Sequence, residues 1–236
     1  MAGRMEFMTG EWFGRLAEVL IVNLILSGDN AVVIAMAART LEGANRKKAI
    51  VLGAAGAVVL RLVFAFVITL LLAVPLLQVA GGLLLIWIAW GLIHEGDEND
   101  EDKVKAGSNI WQAVRIIIVA DAVMSLDNVI ALVQAARIGG EVEFGLLVIG
   151  LATTIPLVIF GAALLTSLLN RFPILVYAGA GLLVYLAVEM IFADKVTHPY
   201  LEHYESIEWI IGLSAAGIFL AIAWLWTRRS SPTEAG

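Results

Sequence analysis

The sequence has no cysteine and only three histidines, His94, His198 and His203, among 236 residues. Disulfides and thiolate metal sites are thereby excluded. All three histidines fall at or beyond the ends of apolar runs, so the interior has no imidazole for a zinc or copper centre. Charge is scarce too: 15% of residues are charged, against about 25% in an ordinary soluble domain. The net charge of −6 is a local matter, since six of the 21 acids lie in 95–102. No basic stripe suited to nucleic acid is present.

What is abundant is apolar residues, 61% of the chain, blocked into runs of bilayer-spanning length. At that depth only helices or closed barrels satisfy the backbone, and the runs lack the alternation of barrel strands. The expected fold is an all-α membrane protein with helices over 12–38, 48–72, 75–94, 109–138, 143–169, 173–193 and 207–227. Residues 1–236 then form a single transmembrane domain. Pro75 and Pro173 are expected to open the third and sixth helices, where a missing N–H costs little. The acidic stretch 95–108 is the one strongly polar connector, and the tail after Arg229 is expected to be disordered. Glu6 and Glu11, not a basic segment, precede the first long run, which therefore reads as a span and not a cleavable signal.

Arg39, Arg46, Lys47, Lys48, Lys103, Lys105, Arg115, Arg171, Arg228 and Arg229 fall on one side of such a bundle. Arg4, Arg15, Arg137 and Lys195 fall on the other. The richer side is expected to be cytoplasmic, which puts the N-terminus outside and the C-terminus in the cytoplasm.

The chain resembles itself at an offset of 98 residues. Ser27, Asp29 and Asn30 fall on Ser125, Asp127 and Asn128; Ala37-Ala38-Arg39 on Ala135-Ala136-Arg137; Pro75 on Pro173; Gly81 on Gly179; and Asn23 on Asp121. Each repeat (12–94 and 109–193) holds an odd number of helices, so the second enters the membrane from the opposite face, with the last helix outside the pair. Inverted repeats are a recurring build for transporters, with the site at mid-membrane where the repeats meet.

Away from the ends of the predicted spans, the ionisable residues at membrane depth are Asp29, Arg61, Asp121, Asp127 and, nearer one end, Glu189. An Asp or Arg at mid-membrane costs about 2.5–3.5 kcal/mol on insertion scales, which argues for a use and for partners inside the bundle. Asn23, Ser27 and Asn30 share one helical face, and Asp121, Ser125 and Asn128 repeat it. Asp29 and Asp127 lie off that face unless the helix breaks; a break at Ser27-Gly28 brings Asp29 in and frees carbonyl oxygens. Inversion puts Asp29 and Asp121 on one level and Asn23 and Asp127 on another, about 9 Å away at 1.5 Å per residue. Carboxylate, amide and carbonyl oxygens suit hard ions, Mn²⁺, Mg²⁺ or Ca²⁺. Two close carboxylates, Asp29 and Asp121, are expected to share a proton until metal displaces it.

LSGDNAVVIA (26–35) and MSLDNVIAL (124–132), each followed by Ala-Ala-Arg, resemble the paired motifs of the TerC family of integral membrane proteins, placed with the lysine-exporter superfamily. The resemblance spans about 12–227. It implies a multi-pass protein of the bacterial inner membrane that exports Mn²⁺, protects against manganese excess and supplies metal to exported proteins, with the secretion translocon as a partner. In some relatives an acid is expected where Asn23 stands, which makes Asn23 a weaker ligand than Asp121.

Simpler readings compete. Asp29, Asp127 and Asp121 also serve as hydrogen-bond clamps between helices, and Asn23, Asn30, Asn128, Ser27 and Ser125 as interhelical glue. Arg61 is expected to neutralise the site and not to ligate metal. Glu189, as a second proton-site candidate, competes with simple snorkelling to water. An intramembrane aspartyl protease also needs two aspartates, but its Gly-x-Gly-Asp signature is absent. Leu26 stands where the first glycine before Asp29 belongs, and Met124 and Leu126 replace both glycines before Asp127. The remaining alternative is an accessory protein that hands metal to the secretion machinery.

Overall fold

A computed structural model describes residues 10–71, 74–94, 106–138 and 141–230, with side chains except those of Thr69, 106–109, Asp127, Arg229 and Ser230. Most of the acidic connector, the terminal tail and the Asp127 carboxylate lie outside the described residues, as do Arg4, Lys103 and Lys105 from the charge comparison.

The elements in order are α1 (Gly10–Ile25), α2 (Gly28–Ala38), α3 (Gly43–Leu71), α4 (Leu77–His94) and α5 (Ala106–Ala135). A two-residue hairpin follows, β1 (Arg137–Ile138) with β2 (Glu141–Val142), antiparallel with Arg137 opposite Val142. Then come α6 (Phe144–Arg171), α7 (Ile174–Ala193), α8 (His198–Leu201), a 3-10 turn (Glu202–Ile207) and α9 (Glu208–Ser230). The fold is all-α, as expected.

Among the described residues, five helices are long and apolar enough to cross a membrane alone. Two bent pairs do so jointly, α1 with α2 at 45° and the two halves of α5 at 60°, giving up to seven spans. The surface agrees: Phe66, Trp87, Phe160 and Ile174 are exposed, while Asn23, Arg61 and Asp121 are buried. Large apolar side chains facing outward at this density mark a surface made for lipid, not water.

Several boundaries differ from the expectation, and α3 begins at Gly43, ahead of the expected 48. The connector 95–108 ends sooner, because α5 begins at Ala106. A 30-residue helix overshoots the bilayer, so its first turn needs no apolar character to announce it. Pro75 lies in the turn before α4, beside Leu76 at φ 60°, whereas Pro173 is the N-cap of α7 at φ −56°. The stretch ahead of the last helix holds α8 and the 3-10 turn, which have no bilayer-length apolar run to announce them.

The packing has a repeating logic. α3 lies along α5, α6 lies along α1 and α2, and α4 lies along α7. In terms of the two triplets, the second helix of each packs on the first span of the other, and the third helices pair. Glycines permit the closest approaches. A Cβ on Gly53 of α3 would sit 2.7 Å from Ile117 of α5, and one on Gly56 would sit 2.6 Å from Ile118. In the other half Gly150 of α6 packs directly on Val19 of α1. Small residues at helix contacts are the usual means of close packing where lipid offers no hydrophobic drive.

Candidate functional site

The break between α1 and α2 has a local cause. The Ser27 N–H shifts to the Leu24 carbonyl at 3.4 Å, and the Ser27 Oγ turns back to the Asn23 carbonyl at 2.5 Å, competing with the backbone ladder. Gly28, a poor helix former, begins α2. Asp29 stands in the first turn of α2, where its Oδ1 accepts the Asn30 N–H at 2.8 Å. A carboxylate at a helix N-terminus satisfies an open donor and matches the helix dipole.

One carbonyl opened by this break belongs to Leu26, and it is already engaged. Asn30 donates to it through Nδ2 at 2.9 Å, and Asn128 of α5 does so at 3.2 Å. The two motif asparagines thus meet on one oxygen, and the expectation of a free carbonyl ligand is corrected at Leu26. Because Asn30 Nδ2 must face that acceptor, its Oδ1 points the other way. This oxygen is buried and has no hydrogen-bond partner.

On α5 the equivalent stripe is ionic. Arg61 of α3 grips Asp121 with two nitrogens, Nη2 to Oδ1 at 2.5 Å and Nε to Oδ2 at 3.1 Å. Nε also donates to Ser125 Oγ at 2.9 Å, and Ser125 Oγ donates to Asp121 Oδ2 at 3.1 Å. Both charged side chains are about 5% exposed or less. The Gly53 and Gly56 contacts, within about two turns of Arg61, bring α3 near enough to α5 for this pair to close. Asp29, half-buried, lies within electrostatic reach of both Arg61 and Asp121.

A small cavity opens here, with room for about one water or one unhydrated ion. Asn30, Arg61, Asp121 and Thr154 are its polar lining; Ala54, Ala57 and Ile155 are among the apolar remainder. Among the described residues no three His, Asp or Glu side chains gather as a metal-holding group. Any cation held here would rely on a mixed set, the Asp121 carboxylate with the Asn30 amide and the Thr154 hydroxyl, while Asp29 is outside the lining and contributes its charge from nearby.

Residues 8–231 match the family described as "Integral membrane protein TerC family". The chain belongs to the TerC family. It is 39% identical over 215 residues, 91% of this chain and 96% of the other, to "Uncharacterized membrane protein YjbE" of Bacillus subtilis. It is 31% identical over 206 residues to "Uncharacterized membrane protein YkoY" of the same organism, covering 80% of this chain and 64% of that one. A third relative, "UPF0053 inner membrane protein YoaE" of Escherichia coli, is 31% identical over 149 residues, 55% of this chain and 29% of its own length. No solved structure matches.

The other predicted site residues of this TerC protein separate into two groups. Asn23 is committed to packing: Nδ2 donates to Gly150 O and Thr154 Oγ1, each at 3.1 Å, and Oδ1 accepts from Ser27 at 3.3 Å. Ser27 is spent on Asn23, as Ser125 is on Asp121 and Arg61. Glu189 lies apart, with Tyr185 and Glu208 as its neighbours near the α7–α9 contact. The two-carboxylate premise for a stored proton also changes, since a guanidinium compensates Asp121.

Two polar residues went unremarked in the sequence. Thr154 joins the cavity to Asn23; its only signal was a Thr-Thr pair ahead of Pro156 inside an apolar run. Asp194 is buried and accepts the N–H groups of Gln78, at 3.1 Å, and Val79, at 3.5 Å, thereby capping α4 from the end of α7. That is a structural staple and lies at the far end of the α4–α7 pair from His94.

Proposed function

We propose that this TerC protein is a transporter of divalent cations, with Mn²⁺ as the cargo that the family resemblance favours and export as the direction. The observation that carries the reading is the buried, unpartnered Asn30 Oδ1 beside a cavity that Asp121 also lines. An acceptor left open in hydrocarbon is costly, and a passing cation or its water would satisfy it. The broken first span supports the same reading, because discontinuous helices at mid-membrane are where transporters hold ions. An all-oxygen donor set suits Mn²⁺, Mg²⁺ or Ca²⁺ and holds them loosely enough to release.

On this reading the two repeats are inverted, the N-terminus is outside and the C-terminus cytoplasmic. Asp29→Asn and Asp127→Asn, which keep shape and remove charge, should each abolish manganese tolerance while membrane levels stay at wild type. Labelled Mn²⁺ uptake into proteoliposomes, with and without a pH gradient, tests transport and its coupling to protons directly. Wild-type flux in both variants reduces the two aspartates to helix clamps. A second reading, delivery of metal to the secretion machinery, predicts under-metalated secreted enzymes in a deletion strain whose own cytoplasmic manganese is unchanged.

A further inference from the structure

Arg61 does more than neutralise a buried acid, because its position is peculiar for a cation transporter. A guanidinium cannot ligate a metal, yet it holds the carboxylate that a cation would need. Nη2 and Nε reach both oxygens of Asp121, and Nε also reaches Ser125 Oγ. The same arginine lines the cavity with Asp121 and Asn30. Arginine does not deprotonate in proteins, so it cannot yield the place by losing charge. It can yield only by moving.

Building on the cation-site reading, we propose that Arg61 is a tethered occupant of the site: its guanidinium fills the positive position in the empty protein, and a divalent cation binds by displacing it from Asp121. Three features fit. A divalent ion on the Asp121 carboxylate and a guanidinium bound to the same oxygens would repel strongly in this setting. The arginine stem is long and flexible, whereas the Gly53 and Gly56 contacts hold the backbone of α3 tightly to α5. The Asn30 Oδ1, which no donor occupies, is the oxygen on which the incoming ion gains what Arg61 gives up. The device keeps Asp121 compensated at every stage, and the returning arginine weakens the grip on cargo so that it leaves.

The test is Mn²⁺ titrated into the full-length protein in lipid nanodiscs, with free Mn²⁺ followed by its paramagnetic resonance signal. Arg61→Gln removes the competing charge and should tighten Mn²⁺ binding at least about tenfold, given an effective dielectric of about 20 between such groups. Arg61→Lys supplies a single point charge in place of the two-pronged grip and should tighten binding by a smaller factor. In proteoliposomes both variants should turn over more slowly while binding more tightly, a split that mere misfolding would not give. Asp121→Asn should lose binding, and R61Q/D121N, with neither charge, shows whether insertion survives. Binding no tighter than wild type in R61Q and R61K, with D121N defective, overturns the tethered occupant and leaves the cation site standing. Wild-type binding in D121N overturns the cation site itself. Where R61Q does not accumulate, R61K decides.

Discussion

The two motif copies are alike in spacing and opposite in chemistry. In the first, Asn23 ties α1 to α6 by neutral hydrogen bonds to Gly150 and Thr154, Ser27 bonds back to Asn23, and Asn30 bonds to the Leu26 carbonyl. In the second, Asp121 and Ser125 tie α5 to α3 through the charge of Arg61. Both serines bond to the residue four positions earlier, and both contacts sit beside a close glycine approach. One substitution at equivalent positions, Asn23 against Asp121, separates a packing joint from an ionic one. A neutral joint need not respond to a cation, whereas an ion pair must rearrange when a third charge arrives. On the proposed reading the asymmetry puts the responsive pair in the second half and a neutral joint in the first, although the first span of each half is bent, by 45° in the first and 60° in the second.

The largest effect expected from breaking this contrast lies in the ion pair. Removing one partner of a buried pair typically costs about 3–5 kcal/mol, because the other charge is left without compensation. Asp121→Asn and Arg61→Gln should each lower thermal stability of the purified protein by that order, while the double variant should cost clearly less than their sum. Additive losses in that cycle would mean that the two side chains are not coupled in the folded protein. An intermediate effect is expected at the glycine that brings the pair together. Gly53→Val forces Ile117 aside and should cost about 1–3 kcal/mol by overpacking. It should also weaken the coupling between Arg61 and Asp121 in the same cycle. Unchanged coupling in the Gly53→Val background would show that α3 and α5 reach the pair by another route.

The break in the first span was legible because its cause is local: Ser27 and Gly28 are adjacent, and both disfavour an uninterrupted helix. The bend in α5 has no glycine to announce it and was not expected from the sequence. The stripe residues were found from helical periodicity, but periodicity says nothing of what lies opposite. Arg61 stands 60 residues from Asp121 in sequence, Thr154 stands 131 from Asn23, and Asp194 stands 116 from Gln78. Those distances are closed by glycine contacts between helices, which are packing events without a sequence signature of their own. The shared Leu26 carbonyl is the clearest case. The break predicted an open oxygen, and it is covered locally by Asn30 and from α5 by Asn128. What remained open was the far end of one of them.

The smallest effect, and the one that bears most directly on the asymmetry, belongs to the neutral joint. Hydrogen bonds between helices in membranes average about 0.6 kcal/mol, because the separated helices find other partners. Asn23 makes two of them to α6, so Asn23→Ala should lower stability by only about 1 kcal/mol. Thr154→Val removes the hydroxyl that accepts one of the two, so the Asn23–Thr154 pair should show a coupling of about 0.6 kcal/mol in a double-mutant cycle. Neither substitution touches a charge, and the Gly150 carbonyl keeps a donor in Thr153 Oγ1 at 2.8 Å. Manganese flux in Asn23→Ala proteoliposomes should therefore stay within about twofold of wild type, a change worth less than 0.5 kcal/mol. Asp121→Ala in the same assay should stop it. Equal loss of flux in the two variants would place Asn23 on the ion's path despite its commitment to α6, and the two halves would then work as matched gates and not as a neutral joint facing a responsive site.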